Sequence, residues 1–336
     1  MHLGVNLLHH GAVPLARAAE DAGYRIVLAP EGYRSDAPSV LGAVAGATDG
    51  ILLASGVMQI PARPAILTAL TAMTLHTLSG GRFRLGLGVS NPDISESWYG
   101  VPFDRPLSRT AQYVRVVRAA ISGEGMAAAT DPERTDGTGA VRLPLAPAAP
   151  GAVPVYLAAG GPGNLRLTGR VADGWIGMFS SPEQTTASIA AIDAGAAAAD
   201  RDIAGFDYLV CAPAFVHDDP ALAADRLRGH YAHLLTVGGP GRNIYVRLAR
   251  GMGYGAELDA LYKYVAAGDR VAAAKAVPQG FIDATALIGP PSRIAERLAA
   301  YREAGATTVS AMVSSADADT TERIATIRAI GKAWHA

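Results

Sequence analysis

The residues of this chain that could carry chemistry fall in short polar clusters, each directly after an apolar run. Asn6, His9 and His10 follow the first run, and Glu31, Tyr33, Arg34 and Asp36 follow the second. The third run ends in Ser55-Gly56-Val57-Met58-Gln59. The fourth ends in Gly88-Val89-Ser90-Asn91-Pro92-Asp93, with Glu96 and Trp98 beyond. The fifth ends in Ala158-Ala159-Gly160-Gly161-Pro162-Gly163-Asn164 and runs straight into a helical pattern. Glycines in such loops let backbone amides come close to a flat or phosphorylated ligand. A small-residue turn that opens a helix adds free N–H groups and the positive end of the helix dipole, so 159–164 reads as an anion cradle. That loop matches neither the dinucleotide fingerprint nor a P-loop.

Other chemistries find less support. His9 and His10 are adjacent and cannot both face one ion from a regular strand. His230 and His233 lie three apart in a helical pattern without a nearby carboxylate to complete a ligand set. A Gly-x-Ser-x-Gly elbow is absent, and the single cysteine, Cys211, lies in an apolar run and reads as a small core residue. No metal site is expected, and an organic cofactor is the natural source of chemistry.

These clusters need a scaffold that brings them to one place. Strand-like apolar runs at 3–6, 25–29, 51–56, 83–88, 153–158, 174–178, 206–215 and 307–313 alternate with helical periodicity at 13–22, 37–47, 65–78, 108–121, 163–171, 182–199, 220–236 and 320–334. Eight strand–helix units imply parallel pairing with right-handed crossovers, and they fit an α/β (β/α)8 TIM barrel better than an open sheet. The loops after the strands then meet at one mouth. The chain reads as a single domain over 1–336 with two departures. Residues 122–152, rich in Gly, Ala, Pro, Asp and Thr, read as a flexible excursion. Residues 238–291, helical over 256–266 and 270–277, read as an insertion before the last strand that roofs the site. The stretch 79–92 reads as a helix end, a Gly-Gly turn, a buried strand and a glycine-broken loop.

Composition narrows the function classes. At 336 residues, 50% apolar and 18% charged, the chain can bury a large core. Lys plus Arg (29) balance Asp plus Glu (30), which leaves no excess positive charge for nucleic acid. One cysteine cannot make a disulfide framework. No basic leader or long apolar stretch opens the chain and no run reaches membrane length, so a cytoplasmic protein without a membrane partner is expected.

The motifs resemble those of the luciferase-like monooxygenase superfamily of (β/α)8 flavin and deazaflavin enzymes, and most closely its actinobacterial branch that uses coenzyme F-420. The resemblance spans nearly the whole chain. It includes Glu31-Gly-Tyr-x-x-Asp36-Ala, Ser55-Gly-Val-Met-Gln-Ile-Pro-Ala-Arg63, Leu78-Ser-Gly-Gly-Arg-Phe83 and Leu85-Gly-Leu-Gly-Val-Ser90. Further along come Glu96-x-Trp-x-Gly100, Pro154-Val-Tyr-Leu-Ala-Ala159, Gly161-Pro-x-Asn-Leu165, Ala172-Asp-Gly-Trp175 and, in the insertion, Gly238-Gly-x-Gly-x-Asn243-x-Tyr245. It implies a bulge with a cis peptide within 55–57, best tolerated at Gly56, that backs the isoalloxazine-like ring. It further implies that Gly88, Val89 and Ser90 line the ring edge, and that Ala159, Gly160, Gly161 and Pro162 meet the ribityl chain and phosphate, with Asn164 at the helix start. Asn6, Ser55, Gly56 and Val57 complete this cofactor set.

The implied activity is hydride transfer from reduced deazaflavin to an unsaturated (C=C, C=N or C=O) small molecule or modified peptide in specialised metabolism. Glu31, Tyr33, His9 and Glu96 are the candidate proton donors, and Trp98 is a candidate pocket wall. Arg63, Arg166, Arg170 and Arg242 are candidates for the coenzyme's phosphate and acidic tail. The alternatives are an FMN-dependent monooxygenase on the same barrel and a deazaflavin-binding protein without turnover. Relatives commonly pair, so a homodimer is implied. The sequence departs from the branch at Ser90-Asn-Pro-Asp93, where Ser-Gly-Pro-Gln is usual. It departs again at Gln112, in place of a glutamate, and at Gly163, in place of a lysine.

Overall fold

The structure is a computed structural model and describes residues 1–32, 35–123, 149 and 151–335. Most of the 122–152 excursion therefore lies outside the described residues, as does Tyr33. Among the described residues ten parallel strands form: β1 (His2–Asn6), β2 (Ile26–Ala29), β3 (Leu52–Ser55), β4 (Met58–Gln59), β5 (Phe83–Gly88), β6 (Val155–Ala158), β7 (Gly174–Met178), β8 (Asp207–Val216), β9 (Leu287–Gly289) and β10 (Thr308–Met312). Eight of them close the expected (β/α)8 barrel in the order β1-β2-β3-β5-β6-β7-β8-β10. The ring is completed because β10 pairs with both β8 and β1. The two extra strands are short. β4 resumes pairing with β5 beyond the point where β3 ends, and β9 pairs with the far end of β8.

Side-chain alternation divides each strand between two environments. Val5, Val27, Leu53, Leu85, Leu87, Val155, Leu157, Val210 and Val309 point outward into the main core beneath the helices. Ile26, Leu28, Ala54, Tyr156, Ile176, Leu209, Cys211 and Met312 point inward and fill the barrel. Near-continuous apolar runs are what this double burial requires.

The helices α1 (Ala12–Asp21), α2 (Ala37–Ala45), α3 (Ala65–Leu78), α5 (Pro106–Ser122), α6 (Pro162–Val171), α7 (Pro182–Ala197), α8 (Pro220–Thr236) and α14 (Thr320–His335) coat the barrel, and a short α4 (Pro92–Ser97) follows β5. The Gly-Gly turn is present, with φ of 61° at Gly80 and 89° at Gly81. Directly after it, Arg82 donates to the carbonyls of Ala45, Thr48, Ile51 and Ser79 and to Thr48 Oγ1, which joins the end of α2, the start of β3 and the end of α3.

The segment 238–291 is more regular than the sequence suggests. Besides α10 (Gly255–Ala266) and α11 (Arg270–Lys275) it holds α9 (Ile244–Gly251), α12 (Gln279–Thr285) and β9. After it α13 (Pro291–Glu303) leads into β10. Of these, α9, α10 and α12 share a second core with α8, built on Phe179, Phe215, Tyr231, Leu235, Val246, Leu258, Leu261, Phe281 and Ile282. Among the described residues no helix is long and apolar enough to cross a membrane.

Candidate functional site at the carboxyl end of the barrel

Three glycine positions shape the floor of the mouth. Gly86 and Gly88 alternate with the outward Leu85 and Leu87, so both face the barrel interior. A Cβ on Gly86 would overlap the backbone oxygen of Ser55, and a Cβ on Gly88 would stand 2.6 Å from Val57 Cγ2. The Ser55 hydroxyl bridges these strands: it donates to Gly86 O at 2.8 Å and accepts from Gly86 N at 2.9 Å. Between them the peptide Gly56–Val57 is cis, within the three residues where the bulge was expected. Gly56 packs tightly, since a Cβ there would lie 3.0 Å from Leu28 Cβ. Val57, Gly88 and Ala158 thus present small groups at one level of the mouth, with Asn6 across the barrel on the same inner face.

Asn6 is buried and accepts from Ser310 Oγ at 2.7 Å. It also touches the buried Cys211, whose thiol burial pushes up to about 12, against the effect of the Asn6 contact. That thiol is an inert packing group.

The loop after β6 is held by two contacts that the sequence did not reveal. Trp175 Nε1 donates to Ala159 O at 2.8 Å, and Asn164 Nδ2 donates to Ala158 O at 3.3 Å. Gly161 caps α6 with extended backbone, and Pro162 occupies the first turn. Open space surrounds the Gly161 Cα, with nothing within 4 Å of a Cβ placed there. Two buried acceptors at this end, Gln59 Oε1 and Asn164 Oδ1, have no hydrogen-bond partner among the described residues. Gln59 pairs in register with Gly88 and so shares its inner face, and its Nε2 is committed to Glu31 O at 3.0 Å. A buried acceptor without a donor costs about 1–3 kcal/mol, which a ligand donor would recover. Val89 and Ser90 continue the floor, and Ser90 takes a left-handed φ of 64°, uncommon for a residue with a side chain.

The candidate proton donors separate clearly. Glu31 is bound to the site by its backbone N–H, which donates to Val57 O at 3.1 Å. Its side chain is 10% exposed, and Arg63 Nε lies 3.2 and 3.1 Å from its two oxygens. Burial pushes the Glu31 carboxyl above its ordinary range, and the Arg63 guanidinium pulls the other way. Arg63 also reaches Asp36 at 3.4 Å and so ties together the second loop. Glu96 is exposed: Arg242 at 3.0 Å and the Phe103 N–H at 3.2 Å hold it below the usual carboxylate range. His9 is exposed and lies against His10, ring centroids 3.9 Å apart and planes tilted by 46°. Tyr33 lies outside the described residues. Trp98 is 57% exposed and stands on the surface, not in a buried wall. Among the described residues no three of His, Cys, Asp and Glu gather as a metal site.

This architecture is shared with known proteins. A pattern described as luciferase-like monooxygenase matches residues 9–308. A Mycobacterium tuberculosis protein whose name includes coenzyme F-420-dependent oxidoreductase is 32% identical over 94% of this chain and 96% of its own. A 5,10-methylenetetrahydromethanopterin reductase of Archaeoglobus fulgidus is 29% identical over 87% of this chain and 86% of its own. The solved coenzyme F-420-dependent tetrahydromethanopterin reductase of Methanopyrus kandleri superposes with a TM-score of 0.82 over 98% of this chain and 97% of that one, at 20% identity. Barrel, glycine floor and near end-to-end similarity converge, and the chain belongs to the luciferase-like monooxygenase family.

Proposed function

We propose that this chain is a coenzyme F-420-dependent oxidoreductase that moves a hydride between the deazaflavin and an unsaturated small molecule or modified peptide. The observation that carries the proposal is the glycine-floored inner face at Val57, Gly88 and Ala158, flanked by the partnerless acceptors Gln59 Oε1 and Asn164 Oδ1. The floor suits a flat ring, and the two acceptors suit ring N–H and ribityl O–H donors. The near full-length similarity to a protein named for this coenzyme supports the same reading. When bound, the coenzyme supplies a hydride at ring C5 and, lacking a flavin's N5, reacts poorly with oxygen.

The chain's own residues do the rest. The Ser55–Gly86 bonds fix the height of the floor. The 159–164 loop and the first turn of α6 offer backbone N–H groups to a phosphate. Glu31 is the acid–base group: partial burial with Arg63 against it lets a proton reside on the carboxyl and leave it, a service typically worth 10²–10⁴-fold. The insertion 238–291 shields the mouth from water, and an acceptor held there in reacting geometry gains from orientation.

Titration of purified apoprotein with F-420 and with FMN, followed by ring absorbance, tests this. Saturable binding of F-420 at micromolar concentration, at least tenfold tighter than FMN, is expected. Preference for FMN would favour the monooxygenase alternative. Tight F-420 binding without substrate-dependent bleaching of the reduced form, across ketone, imine and enone panels, would favour a binding protein without turnover.

A further inference from the structure

The strap between α8 and α9, residues 237–243, ties the insertion to two mouth loops at once. Its guanidinium, Arg242, lies between two carboxylates of α4, 3.5 Å from Asp93 Oδ1 and 3.0 Å from Glu96 Oε2. Gly239 N donates to Asp93 Oδ2 at 3.2 Å. Gly238 holds a φ of 74°, a left-handed conformation that favours glycine, and Asp93 Oδ2 packs directly against its Cα. The next residue is anchored in the opposite direction. Asn243 Oδ1 accepts from Tyr245 N at 2.8 Å and Val246 N at 3.2 Å, while its Nδ2 donates to Leu234 O at 2.8 Å and Val237 O at 2.9 Å. Ile244 then stands 3.6 Å from a Cβ position on Gly160, in the loop after β6.

We infer that Arg242 is a positioning residue that latches the strap to α4 and slows ligand exchange through the mouth. Chemically the latch is one cation shared by two half-exposed carboxylates and reinforced by one backbone N–H. The strap runs from the loop after β5 to Ile244 against the loop after β6, the two loops that follow the floor residues Gly88 and Ala158 on which the proposed coenzyme would lie, and in this sense the inference rests on the reading above. Half-exposed pairs are individually weak and salt-sensitive, so the latch opens readily and closes again, as a gate requires. Arg242 is thereby committed within the chain and is not free for an acidic coenzyme tail.

The test compares wild type with Arg242→Gln, Glu96→Gln and the double variant, in two measurements. Hydrogen exchange of residues 237–243 in the apoprotein is expected to rise about fivefold in each single variant, with the double variant no faster than either. Release of F-420 in stopped flow is expected to accelerate by the same factor, and raising salt should reproduce this in wild type but hardly in Arg242→Gln. Unchanged strap exchange overturns the latch, and faster exchange with unchanged release overturns the gate. Failure of wild type itself to bind F-420 sinks the proposed function and the gate with it, and is recognised because no variant is involved.

Discussion

Glu31 and Arg63 are 32 positions apart, and their contact is the feature of the site least visible in the sequence. A lone glutamate after a strand has no marked protonation state; burial gives it a raised one, against the pull of the arginine at 3.1 Å. The folded-state value is raised. The sign follows: the folded state holds this proton more tightly, so the group favours folding below its ordinary value, and that contribution is lost as pH rises through the raised one. In urea melts, the stability advantage of wild type over Glu31→Gln is therefore expected to shrink as pH is raised from the ordinary carboxylate value towards neutrality; an advantage that grows with pH would contradict this. Turnover of Glu31→Gln should fall about 100-fold with coenzyme affinity within threefold of wild type, and full turnover would place the acid elsewhere. Gly86 makes a different kind of prediction. Its absent Cβ is demanded by backbone, the Ser55 oxygen, and no side chain can move aside. Gly86→Ala is expected to cost more than about 3 kcal/mol in equilibrium unfolding.

At the scale of elements, the eight barrel strands were legible because each is apolar on both faces and bounded by turn residues. The breaks were legible too, at Gly80-Gly81 and at Pro162. What escaped notice follows physical rules. β4 and β9 are two and three residues long, too short to show periodicity. α13 carries Ile294, Leu298 and Tyr301 buried at helical spacing, but it opens on Pro290-Pro291, which reads as a break. α4 is a six-residue helix, too short to show helical periodicity, although Asn91 Oδ1 accepting from Ile94 N, Pro92 at its first position and Asp93 in its first turn mark its start. The motif around Arg82 divides by role: Gly86 to Ser90 belong to the mouth, while Arg82 works at the opposite end of β5. Its guanidinium and side chain satisfy four carbonyls and a hydroxyl. Arg82→Gln should lower stability by about 2–3 kcal/mol, because hydrogen bonds from a charged group are the strong ones and the carbonyls are left without donors. Its coenzyme affinity should stay within twofold of wild type, and a large affinity loss with normal stability would reverse the assignment.

For the whole molecule, two cores divide the labour. The barrel core sets the strand ends, while the second core binds the insertion to α8 and leaves it attached to the mouth through the 237–243 strap. Phe281 is fully buried at the centre of that second core, with ring centroids 5.7 Å from Phe179 and 5.6 Å from Tyr231. Phe281→Ala is expected to cost about 3–5 kcal/mol and to raise hydrogen exchange in 244–285 more than in the barrel strands. Uniform exchange throughout would show the two cores to be one cooperative unit. The glycine floor is probed by the dissociation constant of F-420 for wild type, Gly88→Ala and the surface control Gly229→Ala, where a Cβ meets nothing within 4 Å. A methyl at Gly88 pushes against the tip of Val57, which can shift, so the variant folds but its floor is raised. Gly88→Ala is expected to bind at least tenfold more weakly than wild type, and Gly229→Ala as tightly as wild type. Equal affinities in all three, with each variant folded, would contradict it.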